Sequence, residues 1–161
     1  MKNWLLAVLA TSALLVGACS DDDSSGGGDD NPPECTFTPI AEVRSTLGDA
    51  NIGEPTSDRS NPSVNVCAYP QAGVDSQVII RYEVGSDSES FAITKKGFND
   101  NGQPTTDVSG LGDEAISSAL STGDLTFTSV VARKGSHSVQ IVSRASLDQI
   151  KTLTASILAR F

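Results

Sequence analysis

LTFTSVVARKGSHSVQIVS, residues 125–143, is the stretch that decides the fold. Apolar and polar residues alternate over 125–133 and again over 138–143, on either side of Lys134-Gly135-Ser136. That is the period of half-buried strands joined by a turn, so the stretch predicts a β-hairpin. Directly after it, Ser146 and Gln149 have capping-box spacing, and Leu147, Ile150, Leu153, Ile157, Leu158 and Phe161 trace one apolar stripe. A closing amphipathic helix follows from that pattern.

Working back toward the N-terminus, residues 107–123 are less regular. Gly110-Leu111-Gly112 is turn chemistry, Asp113 is placed to cap, and residues 115–120 are expected as a short helix. Ser86 and Glu89 repeat the capping-box spacing ahead of Phe91, Thr94, Lys95 and Phe98, which predicts a helix that ends by Asn99-Asp100-Asn101-Gly102. Residues 64–69 and 77–84 are β-branched runs joined by a turn containing Gly73, a second hairpin. Residues 51–63, rich in Pro, Asn, Ser and Gly, are expected as loop. Thr38 and Pro39 open a short helix with Ile40, Val43 and Leu47 on one face and Gly48 as its stop. The order of elements predicts an α+β fold: a mainly antiparallel sheet from two hairpins, covered by helices.

Composition bounds what such a domain does. The chain has 161 residues, 11 Lys+Arg against 20 Asp+Glu, and a formal net charge of −9. An acidic chain lacks the clustered cations that bind nucleic acid, so no nucleic-acid partner is expected. Three cysteines and one histidine leave little from which to build a metal site or a nucleophilic triad, and neither metal nor cofactor is expected.

The N-terminus carries an address. Lys2 precedes an uncharged run over residues 4–18, which has the form of a secretory signal and is too short for a membrane span of about 20 apolar residues. Its end, Val16-Gly17-Ala18-Cys19, resembles the bacterial lipobox, in which small residues precede a cysteine that becomes the lipidated first residue. Residues 1–18 are then a lipoprotein signal peptide and Cys19 the lipidation site, with acyl chains holding the protein at the membrane. Ser20 stands where an inner-membrane retention signal would have Asp, which favours the outer membrane in a Gram-negative host and the outer face of the cell membrane otherwise. The acidic run that follows is also similar to export tags of some surface-exposed lipoproteins. Residues 19–34, rich in Asp, Gly and Pro, read as a disordered acidic linker. Their spacing lacks the alternating ligands of a calcium loop.

Residues 35–161 remain as one domain. With Cys19 lipidated and the chain exported to an oxidising compartment, Cys35 and Cys67 are expected to form a disulfide. The rival readings, metal or redox, lack a third Cys and a nearby His.

Several pieces occur in a telling order: Cys35 with Thr38-Pro39 and Glu42-Val43, Cys67-Ala68-Tyr69, Gly110-Leu111-Gly112-Asp113-Glu114-Ala115, Val131-Ala132-Arg133-Lys134-Gly135, and the Leu-rich last helix. In this order the chain resembles a family of bacterial, mostly actinobacterial, lipoproteins classed as domain of unknown function 3558, although it carries what reads as one extra residue between Pro39 and Glu42. The resemblance implies a cell-envelope lipoprotein with paired domain cysteines and implies no reaction. Related small envelope lipoproteins fold like the photosystem assembly protein PsbP, an α/β/α sandwich that suits the order of elements.

Candidate sites are few. His137 sits in the turn at Gly135-Ser136 with no carboxylate beside it and reads as a surface histidine; folding alone could bring Asp124 or Asp113 to it. Gly110, Leu111, Gly112, Asp113 and Glu114 form the most pointed motif. It is too acidic for a phosphate cradle, and it reads as a structural turn or a contact loop. Arg133-Lys134 and Lys95-Lys96 read as solvated faces or strand-edge guards. The function expected is a non-enzymatic, lipid-anchored module that binds an envelope protein or a small apolar ligand. The alternative is an envelope hydrolase working through the carboxylates of Asp113 and Glu114, and a purely structural lipoprotein is the third reading.

Overall fold

The structure, a computed structural model, describes residues 31–72 and 77–161. The signal, Cys19, most of the acidic linker and the expected Gly73 turn lie outside the described residues. After a tight helical turn at Cys35–Phe37, the elements are α1 (Ile40–Leu47), β1 (Thr56–Asn61), β2 (Val64–Pro70), β3 (Gln77–Val84), α2 (Ser88–Asp100), β4 (Thr105–Asp107), β5 (Glu114–Thr122), β6 (Leu125–Lys134), β7 (His137–Ser143) and α3 (Leu147–Leu158). All the strands join one antiparallel sheet in the order β1-β2-β3-β7-β6-β5-β4. The fold is α+β. Both expected hairpins are present, and they meet where β3 pairs with β7, Ile80 opposite Ile141 and Tyr82 opposite Val139.

The side-chain period of two sorts the strands into two faces. On the first, Cys67, Tyr69, Ile80, Tyr82, Val130, Ala132, Val139 and Ile141 pack against Val43 and Leu47 of α1 and Ile150, Leu153, Ile157 and Leu158 of α3. Val131, which alternates with Val130 and Ala132, points the other way and packs with Ile116 against Phe91 of α2. Among the described residues helices therefore lie on both faces, two on the first and one on the second.

Four local expectations are corrected. Residues 115–120 are not helical: they belong to β5, paired along its whole length with β6 from Glu114 opposite Arg133 to Thr122 opposite Leu125. The loop expected over 51–63 contains β1, an edge strand of six exposed polar residues that pairs through its backbone with β2. Thr38 does not cap α1. It is buried, and its hydroxyl lies 2.7 Å from the Tyr82 hydroxyl. The capping box of α2 is Asp87 with Ser90, one residue beyond the expected pair. The box of α3, Ser146 with Gln149, forms as expected.

The two ends of the domain are tied together. Phe161 stacks between Phe37 and His137, at 5.1 and 4.4 Å between ring centroids. Arg160 pairs with Glu42 of α1, whose other carboxylate oxygen accepts the Ser156 hydroxyl at 2.6 Å. Burial pushes the Glu42 carboxyl up, but the hydrogen bonds from Ser156 and Arg160 and the Arg160 charge outweigh it and hold the group below its ordinary value of 4.5. A carboxyl whose folded pKa is lowered stabilises the fold above its unfolded value and loses that contribution as pH falls through the folded one. Glu42→Gln is therefore expected to be less stable than the wild type at neutral pH, with the gap closing below 4.5. Denaturant titrations of both proteins on either side of that value check it.

Candidate functional site

The glycine-acid motif reads, atom by atom, as framework. Leu111 is buried in the first-face core. Asp113 caps no helix; its carboxylate accepts the Gly135 N–H at 2.8 Å, and its own N–H donates to the Arg133 carbonyl at 2.7 Å. The loop is thus fastened to the β6–β7 turn. Arg133, its side chain only 12% exposed, donates through Nε to Glu114 at 2.8 Å and through its Nη atoms to the Gly135 carbonyl and the Ser88 hydroxyl, with Asp113 3.5 Å away. One guanidinium so joins the start of β5, the β6–β7 turn and the start of α2.

The two carboxylates of the hydrolase alternative sit side by side on this guanidinium. Acid and base catalysis by two carboxylates needs them to face each other across a cleft with separated roles. A hollow of about 310 Å³ does lie beside the loop, lined by Gly110, Leu111, Gly112, Lys134 and Leu158 among others. Its one cation is engaged, because Lys134 Nζ donates to the Leu158 carbonyl at 2.9 Å at the end of α3. Removing the hub is expected to loosen the fold. Arg133→Met should cost about 1–3 kcal/mol in urea unfolding, less than a fully buried pair because Asp113 and Glu114 keep solvent contact. Adding Glu114→Gln should recover part of the loss.

The paired cations are partnered rather than free. Lys95 Nζ lies 2.5 Å from Asp107, and Lys96 pairs with Asp100. His137 is half-buried and stacked on Phe161. Cys35 and Cys67 are disulfide-bonded. Domain contacts begin ahead of that bond: the Pro32 carbonyl accepts from Arg59 and the Pro33 carbonyl from Asn65.

The second sheet face holds what the motifs did not reveal. A lateral row crosses the sheet there through Ala68, Ile79, Val142, Ser129 and Ser118, each opposite the next on neighbouring strands. A sheet of seven strands spaced about 4.8 Å apart is far wider than one helix of about 10 Å. α2 seats Phe91 on Ile116 of β5 and Val131 of β6, and among the described residues no helix packs on β2 and β3 on this side. Where α2 ends, a groove of about 260 Å³ opens between Phe98 and the sheet, with Leu120, Phe127 and Val142 as its apolar walls and Gln103, Ser118, Ser129 and Gln140 as its polar ones.

No family model, curated protein or solved structure matches this chain.

The groove did leave a trace in the sequence. Strands covered on one face alternate, whereas Val78-Ile79-Ile80 and Ile141-Val142 are unbroken apolar runs, the pattern of strands with apolar side chains on both faces. Among the described residues, no group of three or more His, Cys, Asp or Glu is placed to hold a metal ion, and no helix is long and apolar enough to cross a membrane.

Proposed function

We propose that this is a lipid-anchored cell-envelope protein whose domain is a non-enzymatic binding module, and that it binds on the second face of the sheet. The observation that carries the reading is the unequal cover of the sheet among the described residues: two helices on one face, one on the other, and beside that one an open apolar groove with no titratable side chain among its described walls. The envelope location is supported by the resemblance of residues 16–19 to a lipobox and by the resemblance of the ordered motifs to those of an envelope lipoprotein family. The Cys35–Cys67 bond fits an oxidising compartment.

Two measurements test this. Cys19→Ser is expected to abolish metabolic labelling with palmitate, and retained labelling would remove the anchor from the reading. For the binding face, a photo-crosslinking residue placed in native cells at Phe127 or Val142 should capture a discrete partner or ligand. The same residue at Thr152, exposed on the outer side of α3, should not. Equal capture from all three positions, or none, sinks the binding-face assignment.

A further inference from the structure

We infer that the groove beside the end of α2 takes an uncharged amphiphile: a straight aliphatic tail along Phe98, Leu120, Phe127 and Val142, with a neutral hydroxyl or amide head at Ser129 and Gln140. The inference rests on the binding-module reading and gives its site a ligand class.

Charge selects against ions. Each of the eight lining residues is uncharged, in a chain of formal net charge −9. A carboxylate or phosphate head would be desolvated against neutral walls with no cation to meet it, and an ammonium head would find no carboxylate. The protein as a whole repels the anion further.

Hydrogen bonding supplies the head-group site. Ser129 is only 8% exposed. Its hydroxyl oxygen accepts from the Gln140 amide at 3.3 Å, while among the described residues its proton meets no acceptor and the Gln140 carbonyl oxygen meets no donor. Among the described residues the Gln103 side chain makes no hydrogen bond either. By contrast Ser118 is already engaged, donating to the Pro104 carbonyl at 3.1 Å. A hydroxyl proton not committed to another side chain and a solvent-facing amide oxygen beside it match a group that both accepts and donates, as an alcohol does.

Size limits the tail. At roughly 30 Å³ for each water-sized group in a liquid, about 260 Å³ holds about nine such groups, a medium-length chain and not a whole two-tailed lipid. Leu120, 44% exposed, stands on the β5 side of the groove, and the half-buried Ile79 lies beside Val142 on the β7 side, where a longer tail would find further apolar surface.

The test uses the whole chain carrying Cys19→Ser, so that no acyl chain of its own competes. Displacement of the neutral dye N-phenyl-1-naphthylamine is followed with 1-decanol, decanoate and decylammonium. Decanol should displace at a concentration at least about ten-fold lower than either ion. Ser129→Ala should weaken decanol about two- to ten-fold, the loss of one neutral hydrogen bond, and leave the dye unchanged. Leu120→Glu, at an exposed position the fold tolerates, should weaken both. Equal displacement by all three compounds, or dye binding indifferent to Leu120→Glu, overturns the inference. So does absence of dye binding by a chain whose circular dichroism shows it folded. Monodecanoylglycerol offered in solution and the same compound offered in phosphatidylcholine vesicles separate the sources: uptake from vesicles identifies a membrane-borne amphiphile, and uptake from solution alone a free one. Crosslinking from Phe127 or Val142 without any decanol selectivity would remove this ligand class and leave the binding face standing.

Discussion

Replacing Cys35 and Cys67 together with Ala is expected to lower the unfolding free energy by about 3–4 kcal/mol, and reduction of the wild type by a thiol should produce nearly the same loss. The bond closes a separation of 32 residues and holds Cys35, at the very start of the domain, to the fully buried Cys67 of β2. Cross-linking a loop of that length removes the corresponding freedom from the unfolded chain, which is where the figure comes from. Against a total stability of about 5–15 kcal/mol this is a large share. The native contacts around the bond are weaker holds: Asn65 donates to the Pro33 carbonyl and the Tyr69 hydroxyl donates to the Cys35 carbonyl at 3.3 Å. Urea unfolding of the oxidised, reduced and double-Ala forms decides it. A loss below about 1 kcal/mol would mean that these contacts, with the Phe37–Phe161 stack, pin the N-terminal segment without the cross-link.

The elements that could be read from the sequence are those whose signal is local. The β6–β7 hairpin is marked by a two-residue turn and period-two flanks, and α3 by a capping box and a stripe at helical spacing. β5 misleads because Ala115, Ile116, Ala119 and Leu120 recur at a spacing that also draws one face of a helix, and Ala and Leu favour that state. Only pairing with β6 along its length makes it a strand, and pairing is not a local property. β1 was invisible for the opposite reason, since six polar residues carry no hydrophobic period and gain their conformation from the backbone ladder of β2. The turn chemistry of the glycine-acid motif is local, yet the partner of Asp113 is Gly135, 22 residues away, and not a following helix. The groove is harder still, because its walls come from α2, β5, β6 and β7 and meet only when the sheet closes.

Gly112→Ala is expected to cost about 2–4 kcal/mol, whereas Gly110→Ala, two residues earlier in the same motif, should cost only about 1–2 kcal/mol. Both glycines hold positive φ, at 75° for Gly110 and 65° for Gly112, so each substitution incurs the left-handed strain of a residue with a Cβ, about 1–2 kcal/mol. They differ in what that Cβ meets. At Gly110 nothing lies within 4 Å. At Gly112 it would stand 2.3 Å from the Arg133 carbonyl oxygen and 3.2 Å from Leu158 Cδ1. The carbonyl cannot swing aside cheaply, because it is backbone inside a paired strand and accepts the Asp113 N–H at 2.7 Å. Separating the two chains sacrifices that hydrogen bond, worth about 0.5–1.5 kcal/mol, and disturbs the seat of Leu158 in the first-face core. Urea unfolding of the two variants gives the comparison. Equal costs would mean that the loop slides freely over β6 and is available as a contact surface. A much larger cost at Gly112 would show that its glycine exists for close packing. Because the groove lies on the opposite face of the sheet, a Gly112→Ala chain that remains folded should still bind the neutral dye as the wild type does.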